Sequence, residues 1–192
     1  MDTSSFESDF DGWTTGGMDQ PFTRWVGGTE SLSTGPSGAA DGSYYVYAET
    51  SGQPRKNFDL QKAFPAGVYG IAFQYHMYGA TIGTAVLESS ATGTSWASLW
   101  SKGPGDKGNH WNQATAYARG SGQTMLRFTY TSGSSYTGDF ALDDVQIGDC
   151  LTVGCVASPG PLCIDPSGAC DPATGRCSLK ADGTTCDSRD HE

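Results

Sequence analysis

The sequence predicts an all-β protein, an antiparallel jelly-roll β-sandwich followed by a small disulfide-rich module. Three observations lead to this prediction. Short stretches of alternating apolar and polar residues recur along residues 1–150, separated by turns rich in glycine and serine. No segment keeps the apolar period of an amphipathic helix. All six cysteines lie between residues 150 and 186, which divides the chain into a sandwich domain at 1–150 and a cysteine-rich module at 151–192.

The predicted strands follow one another at short intervals along the first domain. The strongest runs from Val68 to Tyr78, where alternate residues from Ile71 to Met77 are apolar and mark one face. The others are Ser43–Glu49, Asn57–Phe64, Thr84–Glu88, Trp96–Trp100, Trp111–Ala118, Thr124–Tyr130 and Phe140–Cys150. Residues 14–43 are predicted to be rich in loops. The helices that a doubly wound or α/β-barrel enzyme places between its strands are missing from this pattern.

The closing strand carries two adjacent acidic residues, Asp143 and Asp144. Asp143 shares its parity with Val145 and Ile147, so an uninterrupted strand places its carboxylate on the core face. A buried carboxylate is costly unless it is paired, hydrogen-bonded or bound to a metal. Asp144 has the opposite parity, and only a bulge or a strand end would bring both side chains to one site. We therefore predict that Asp143 points inward and has a specific partner.

The charge of the chain limits its partners. It has 11 basic and 21 acidic residues, a formal net charge of −10. Nucleic acids and anionic membranes bind basic surfaces, so neither is the expected partner. No window has the length and apolar character of a membrane-spanning helix, and residues 1–20 lack the features of a signal peptide. We expect no direct membrane insertion by this part of the protein.

The cysteines indicate an oxidising compartment. They are Cys150, Cys155, Cys163, Cys170, Cys177 and Cys186. An even number in a short, polar segment is typical of a disulfide framework, which predicts an extracellular protein, secreted or at the cell surface. The alternative is a zinc site, but the segment has no Cys-x2-Cys pair and only His191 as a nearby histidine.

Five motifs occur in order along residues 6–150. They are Phe6-Glu7 with Gly12-Trp13; Thr34-Gly35-Pro36-Ser37 with Gly42-Ser43-Tyr44-Tyr45; Phe73 to Gly79 with Gly83; Gly105 to Asn109 with Trp111; and Gly138 to Val145 with Cys150. Together they resemble the MAM domain, an extracellular adhesion module of receptor phosphatases, neuropilins and meprins. Two departures are a serine, Ser5, at the position of the family's first cysteine and Ala39-Ala40-Asp41 in place of its Asp-His-Thr.

Residues 151–192 resemble a cysteine-rich repeat found in large secreted microbial and protist proteins. The likeness rests on the segments Cys170 to Cys177 and Ala181 to Cys186. It implies that the chain is part of a longer, multidomain protein that is secreted or anchored to a membrane.

The resemblance to the MAM domain also implies one structural cation, often calcium, near the chain termini. The acidic residues that would bind it are Glu7, Asp9, Asp41, Asp143 and Asp144. Ca²⁺ takes about six to eight oxygen ligands, which an early segment, one loop and the last strand would supply together. The alternative is that Asp143 accepts hydrogen bonds from a loop backbone and the other carboxylates are solvated.

The histidines and tryptophans are the remaining candidates for catalytic or binding residues. His76 lies in the strongest strand and His110 in a loop, and neither has a recognisable nucleophile or base as a partner. The sequence also lacks the Gly-x-Ser-x-Gly and His-Glu-x-x-His motifs, so we predict that the protein is not an enzyme. Trp96 and Trp100 are candidates for stacking against a sugar, although packing within the sandwich is the favoured explanation for them.

These observations predict a non-catalytic extracellular module for adhesion or protein–protein interaction. Its partner would be another protein, and homophilic binding to a second copy is included in this prediction. The first alternative is a carbohydrate-binding module with a glycan partner. The second is an accessory domain of a secreted enzyme.

Overall fold

A computed structural model of the protein describes residues 2–65, 67–68, 70–118 and 123–148, together with residues 170–171 and 176–177. Within residues 2–148 it contains twelve strands. They are β1 (Asp2–Ser4), β2 (Thr14–Thr15), β3 (Gln20–Pro21), β4 (Thr23–Val26), β5 (Tyr44–Ala48), β6 (Asn57–Ala63), β7 (Gly70–Met77), β8 (Thr84–Ser90), β9 (Ala97–Lys102), β10 (Asn112–Tyr117), β11 (Met125–Thr131) and β12 (Phe140–Gly148). The predicted all-β class is confirmed.

The twelve strands form a sandwich of two six-stranded sheets. The front sheet has the order β10-β7-β12-β5-β4, and β1 also pairs with β12. The back sheet has the order β2-β6-β11-β8-β9, and β3 also pairs with β6. All of these pairs are antiparallel except the short β3–β6 pair. Across the described residues, no helix is long and apolar enough to cross a membrane.

The C-terminal module is described only at two short strands. Cys170–Asp171 (β13) and Arg176–Cys177 (β14) pair antiparallel, with Cys170 opposite Cys177 in the register. The other predicted disulfide cysteines, Cys150, Cys155, Cys163 and Cys186, lie outside the described residues. The disulfide framework and the likeness to a cysteine-rich repeat therefore stay predictions.

Aromatic rings from both sheets fill the space between them. Phe73 of the front sheet meets Phe128 of the back sheet edge to face, with ring centroids 5.0 Å apart. Phe140 stacks on Tyr130 at the same distance. Trp13, which precedes β2, packs against Phe128 from one side. Such pairs add to the apolar burial that stabilises the fold. The predicted apolar face of the strongest strand is confirmed, because its alternate residues line this core.

The closing strand changes face partway along its length. Phe140 and Leu142 point into the core before a bulge, and Val145 and Ile147 point into it afterwards. The register on β7 shifts between Asp143 and Gln146, and Asp144 has a φ of 46°. A bulge inserts one extra residue, which inverts the alternation of the side chains. The prediction that Asp143 shares the core face with Val145 is therefore wrong, although Asp143 is fully buried on the opposite face.

A tyrosine hydroxyl joins the back sheet to the loop that precedes β12. The hydroxyl of Tyr130 accepts a hydrogen bond from the backbone N–H of Gly83 at 2.7 Å and donates one to the carbonyl of Gly138. Both partners are backbone groups at a buried position. Position 83 requires glycine, because a Cβ there would collide with the carbonyl of Thr131.

We expect Tyr130→Phe to lower the free energy of unfolding by about 1–3 kcal/mol, because it leaves two buried backbone groups without a partner. Urea unfolding followed by tryptophan fluorescence measures this change. Tyr117→Phe is the matched control, since Tyr117 is 57% exposed. Equal stability of the two variants would contradict the role given to the Tyr130 hydroxyl.

Candidate functional site

The outer face of the front sheet carries a second cluster of aromatic residues. Tyr45 and Tyr47 of β5 lie there with Ala141 of β12, and Trp25 and Trp111 pack against them. The rings of Tyr45 and Trp111 lie 5.9 Å apart, edge to face. Residues on the outside of a sandwich are usually solvated, yet both tyrosines are almost completely buried. Another part of the chain therefore covers this cluster.

The cover is the segment 27–42, which we call the covering loop. Three aromatic side chains donate hydrogen bonds to its carbonyls. They are Trp25 Nε1 to Gly28, Tyr45 Oη to Gly27 and Trp111 Nε1 to Gly38, each 2.9 Å long. Each ring thus buries its apolar surface and satisfies its polar atom, as buried tyrosines and tryptophans generally do. On the loop, Leu32 is 83% exposed.

Asp143 fastens the end of the covering loop to the front sheet. Its Oδ2 accepts hydrogen bonds from the backbone N–H groups of Ala40 at 2.8 Å and Asp41 at 3.0 Å, and its Oδ1 accepts one from Asp144 at 2.7 Å. Burial raises the pKa of Asp143 to about 6, and the three amide hydrogen bonds oppose this rise. The predicted specific partner of Asp143 is therefore a set of loop amides.

Glu7 holds the next part of the same segment. Its Oε1 accepts hydrogen bonds from the backbone N–H groups of Ser43 and Tyr44, both at 2.8 Å, and these bonds lower the pKa of Glu7. The guanidinium of Arg24 donates to the backbone carbonyls of Phe6 and Glu7 and lies 3.6 Å from the centre of the Tyr44 ring. The carboxylates of Glu7 and Asp143, which lie near opposite ends of the domain sequence, thus accept hydrogen bonds from backbone N–H groups within residues 40–44.

The remaining acidic residues of the predicted calcium site have other surroundings. Asp9 Oδ1 accepts a bond from the N–H of Asp11 at 2.6 Å, the Asp144 carboxylate accepts bonds from Gln146, and Asp41 is exposed. Among the described residues, no three acidic, histidine or cysteine side chains converge in a way that could hold a metal. The five acidic residues are therefore not gathered into one cluster in this structure. Calcium binding by the chain stays a prediction.

A further buried carboxylate, Asp139, was not singled out from the sequence. Its Oδ1 accepts hydrogen bonds from the N–H of Thr50 at 3.0 Å and from the Thr50 hydroxyl at 2.9 Å. Burial, and to a lesser degree repulsion by Glu49, raise the pKa of Asp139 to about 7. Glu49 immediately follows β5 and Asp139 immediately precedes β12, but only the register of β5 on β12 shows that the two residues are neighbours. The sequence pattern contains no signal of that pairing.

The two tryptophans proposed for sugar stacking have different surroundings. Trp96 is half-buried, and the Arg127 guanidinium lies 4.1 Å from its ring centre. Arg127 in turn forms an ion pair with Glu88 at 2.8 Å. Trp100 packs edge to face against Phe73 and Tyr75, with centroids 5.1 Å away in both cases. Trp100 is therefore packed against the core, whereas Trp96 is not part of it.

His76 is buried on the outer face of the front sheet. Its ring lies 5.5 Å from that of Trp111 and 6.4 Å from that of Tyr78. Its Nδ1 has no hydrogen-bond partner among the described residues. Burial disfavours the charged imidazolium and lowers the pKa of His76 to about 4. The imidazole is therefore neutral at physiological pH, which agrees with a packing role.

We expect His76 to make folding sensitive to acid. The unfolded chain takes up a proton near pH 6.5, but the folded protein takes it up only near pH 4, so stability falls as the pH drops between these values. The melting temperature of His76→Gln should therefore fall less than that of the wild type between pH 7 and about pH 4.5. His110→Gln is the comparison, and its curve should be slightly shallower than that of the wild type, because the charge of His110 contributes to the lowered pKa of His76. Identical slopes for all three proteins would contradict the assignment.

Two solved structures share this fold. The K2 cleaved adhesin domain of Lys-gingipain has a TM-score of 0.62 and 19% sequence identity, and the match covers 76% of this chain and 98% of that one. The module TmCBM61, solved in complex with beta-1,4-galactotriose, has a TM-score of 0.50 and 19% identity, covering 76% of this chain and 94% of that one. At this identity the likeness concerns the fold alone.

Curated relatives are more similar in sequence. MAM domain-containing glycosylphosphatidylinositol anchor protein 1 is 38% identical over 134 residues in Rattus norvegicus and 37% identical over 134 residues in Homo sapiens. Protein 2 of the same name from Mus musculus is 34% identical over 139 residues. Each match covers 62% of this chain but 14% of the relative, so the chain spans about a seventh of their length.

A family profile extends the match over the whole sandwich. The profile of the MAM domain, meprin/A5/mu, matches residues 4–151. This range includes the five motifs, the covering loop and the two carboxylates that bind residues 40–44, those of Glu7 and Asp143. The chain therefore belongs to the MAM domain family.

Proposed function

We propose that this MAM domain is a non-catalytic module for adhesion or protein–protein interaction outside the cell. The observation that carries the proposal is the covering loop. It buries the aromatic outer face of the front sheet and leaves Leu32 and, at the end of the edge strand β4, Val26 exposed to solvent. Leu32, at 83%, is the most exposed large apolar side chain among the described residues, and a side chain of this kind can anchor a protein contact. Relatives named as glycosylphosphatidylinositol anchor proteins support the extracellular location.

The charge of the chain favours a protein partner and affects how a homophilic contact would behave. Two copies with a formal charge of −10 each repel one another at long range. Salt screens this repulsion, while apolar contacts at Leu32 and Val26 lose little. Homophilic association through this surface should therefore strengthen as the salt concentration rises. A basic partner would show the opposite dependence.

A carbohydrate-binding module is the second candidate function. Trp96 supports it, because this half-buried indole lies on the outer side of the back sheet over Arg127. A sugar stacks on such a ring and accepts hydrogen bonds from a nearby guanidinium. An accessory role beside a secreted enzyme is compatible with either kind of binding.

We expect Leu32→Glu to weaken homophilic association at least about tenfold, because it places a charge in an apolar contact (about 1.4 kcal/mol per tenfold). Sedimentation velocity across a concentration series, and aggregation of beads coated with the protein, measure this association. Tyr117→Glu is the matched control, since Tyr117 is also exposed but lies on β10, at the opposite edge of the front sheet. A protein that stays monomeric on both assays would rule out homophilic binding.

A glycan array tests the second candidate. If the module binds sugars through Trp96, selective binding should fall at least about tenfold in Trp96→Ala, and the melting temperature should change little. Trp100→Ala is expected to unfold at a lower temperature, because its ring packs on Phe73 and Tyr75. Only a loss of binding without a loss of stability counts in favour of the glycan function.

A further inference from the structure

Asp139 holds a buried carboxylate oxygen without a partner. The residue is 0% exposed, and Oδ1 is occupied by two bonds from Thr50. Oδ2 has no hydrogen-bond partner among the described residues. Burying a carboxylate oxygen is costly unless something compensates its charge. Asp143 shows the ordinary solution, because three amides satisfy its carboxylate. Asp139 lacks such a set, so a ligand is the natural explanation for its free oxygen.

A second carboxylate lies directly across from the first. β12 and β5 pair antiparallel with Phe140 opposite Ala48, which places Asp139 opposite Glu49 at the next position of the register. Side chains at directly opposed positions share one face, with Cβ atoms about 4.5–5.5 Å apart, and like charges there are destabilising. This repulsion contributes to the raised pKa of Asp139. The arrangement is therefore unfavourable unless a proton or a bound cation neutralises part of this charge.

No basic side chain supplies a neutralising charge in the described part of the chain. The ion pairs found there are Lys62 with Asp2 and Arg127 with Glu88. Glu49 is half-buried, so its carboxylate can be reached from solvent. Its oxygens accept bonds from the Tyr47 hydroxyl at 3.1 Å and the Ser51 N–H at 2.8 Å, which fix it beside Asp139.

We propose that Asp139 and Glu49 bind a hard, oxygen-seeking cation of the Ca²⁺ class. Asp139 Oδ2 would be the inner ligand, Glu49 the ligand on the solvent side, and water would complete the shell of about six to eight oxygens. With only two carboxylates, the affinity should lie in the range of about 10⁻⁴–10⁻³ M that is typical of extracellular modules. The site includes none of the five acidic residues of the predicted calcium site.

The position of the site connects it to the covering loop. Thr50 and Ser51 directly follow Glu49, and the Ser51 hydroxyl forms a hydrogen bond with that of Ser31 at 2.9 Å. The hydroxyl of Thr34 accepts a bond from the N–H of Asp139 at 2.8 Å. A cation at Asp139 and Glu49 would therefore stiffen the base of the loop segment that carries Leu32. The cation site does not depend on the proposed partner binding, because it is defined by groups within one copy.

Terbium luminescence provides the test. Tb³⁺ replaces Ca²⁺ in oxygen sites and emits when a nearby aromatic ring is excited, and Tyr47 lies next to both carboxylates. Residues 149–192 contain no tyrosine or tryptophan, so weak binding to acidic residues of that segment would contribute little emission. We expect sensitised emission from the EDTA-treated protein that Ca²⁺ displaces. Asp139→Asn and Glu49→Gln, which keep the acceptors for Thr50 and Ser51, should each weaken Tb³⁺ binding at least tenfold.

Asp9→Asn and Asp41→Asn, at exposed positions, are the matched controls and should leave Tb³⁺ binding unchanged. The proposal is overturned if the wild type gives no emission that Ca²⁺ displaces, or if the controls lose binding while Asp139→Asn and Glu49→Gln keep it. Melting in EDTA shows whether each variant is folded. Should Asp139→Asn fail to fold, Glu49→Gln decides alone, because Glu49 is partly exposed and its neutral form fits the same space.

Discussion

The contact on which this domain depends is the carboxylate of Asp143 with the backbone amides of the covering loop. A hydrogen bond to a charged group contributes about 1.5–3 kcal/mol, and Asp143 accepts three, two from the covering loop and one from Asp144. These bonds offset part of the cost of burying the charge. They also hold residues 40–41 against a sheet face that would otherwise be solvated. The second aromatic cluster is buried because this contact keeps its cover in place.

The bulge in β12 makes that contact possible. Without it, Asp143 and Val145 would share a face, and either a carboxylate would enter the core or a valine would leave it. The extra residue at Asp144 lets the strand present Phe140 and Leu142, then Val145, to the core while Asp143 faces the loop. A positive φ at an aspartate is uncommon but tolerated, because its short side chain bonds locally. The local strain thus serves a long-range contact.

The same face shows two ways of burying an acid. Asp143 is satisfied by amides within the protein, whereas Asp139 has one satisfied oxygen and one oxygen without a partner among the described residues, at a position opposite Glu49. The first arrangement is complete in itself. The second is incomplete and therefore points to a ligand.

Most of the strands follow from local chemistry. The alternation of apolar side chains predicted β5 to β8 and β10 to β12 to within a few residues, because burial of one face imposes a period of two on the sequence. The five motifs likewise carried the family membership. Local pattern also indicated that Asp143 would be buried and partnered. Each of these properties depends on residues that are neighbours in the sequence, so a single sequence is enough to predict it.

The tertiary structure decided the remaining features. Alternation alone placed Asp143 in the core, and only the register of β12 on β7 revealed the bulge that turns it outward. The covering loop has no periodic pattern, so nothing in the sequence showed that it buries Tyr45 and Tyr47. The opposition of Asp139 and Glu49 arises from pairing between strands far apart in the chain. Contacts of this kind are fixed by how strands far apart in the chain pair and how a loop folds over them, whereas the local sequence determines only what each strand can offer.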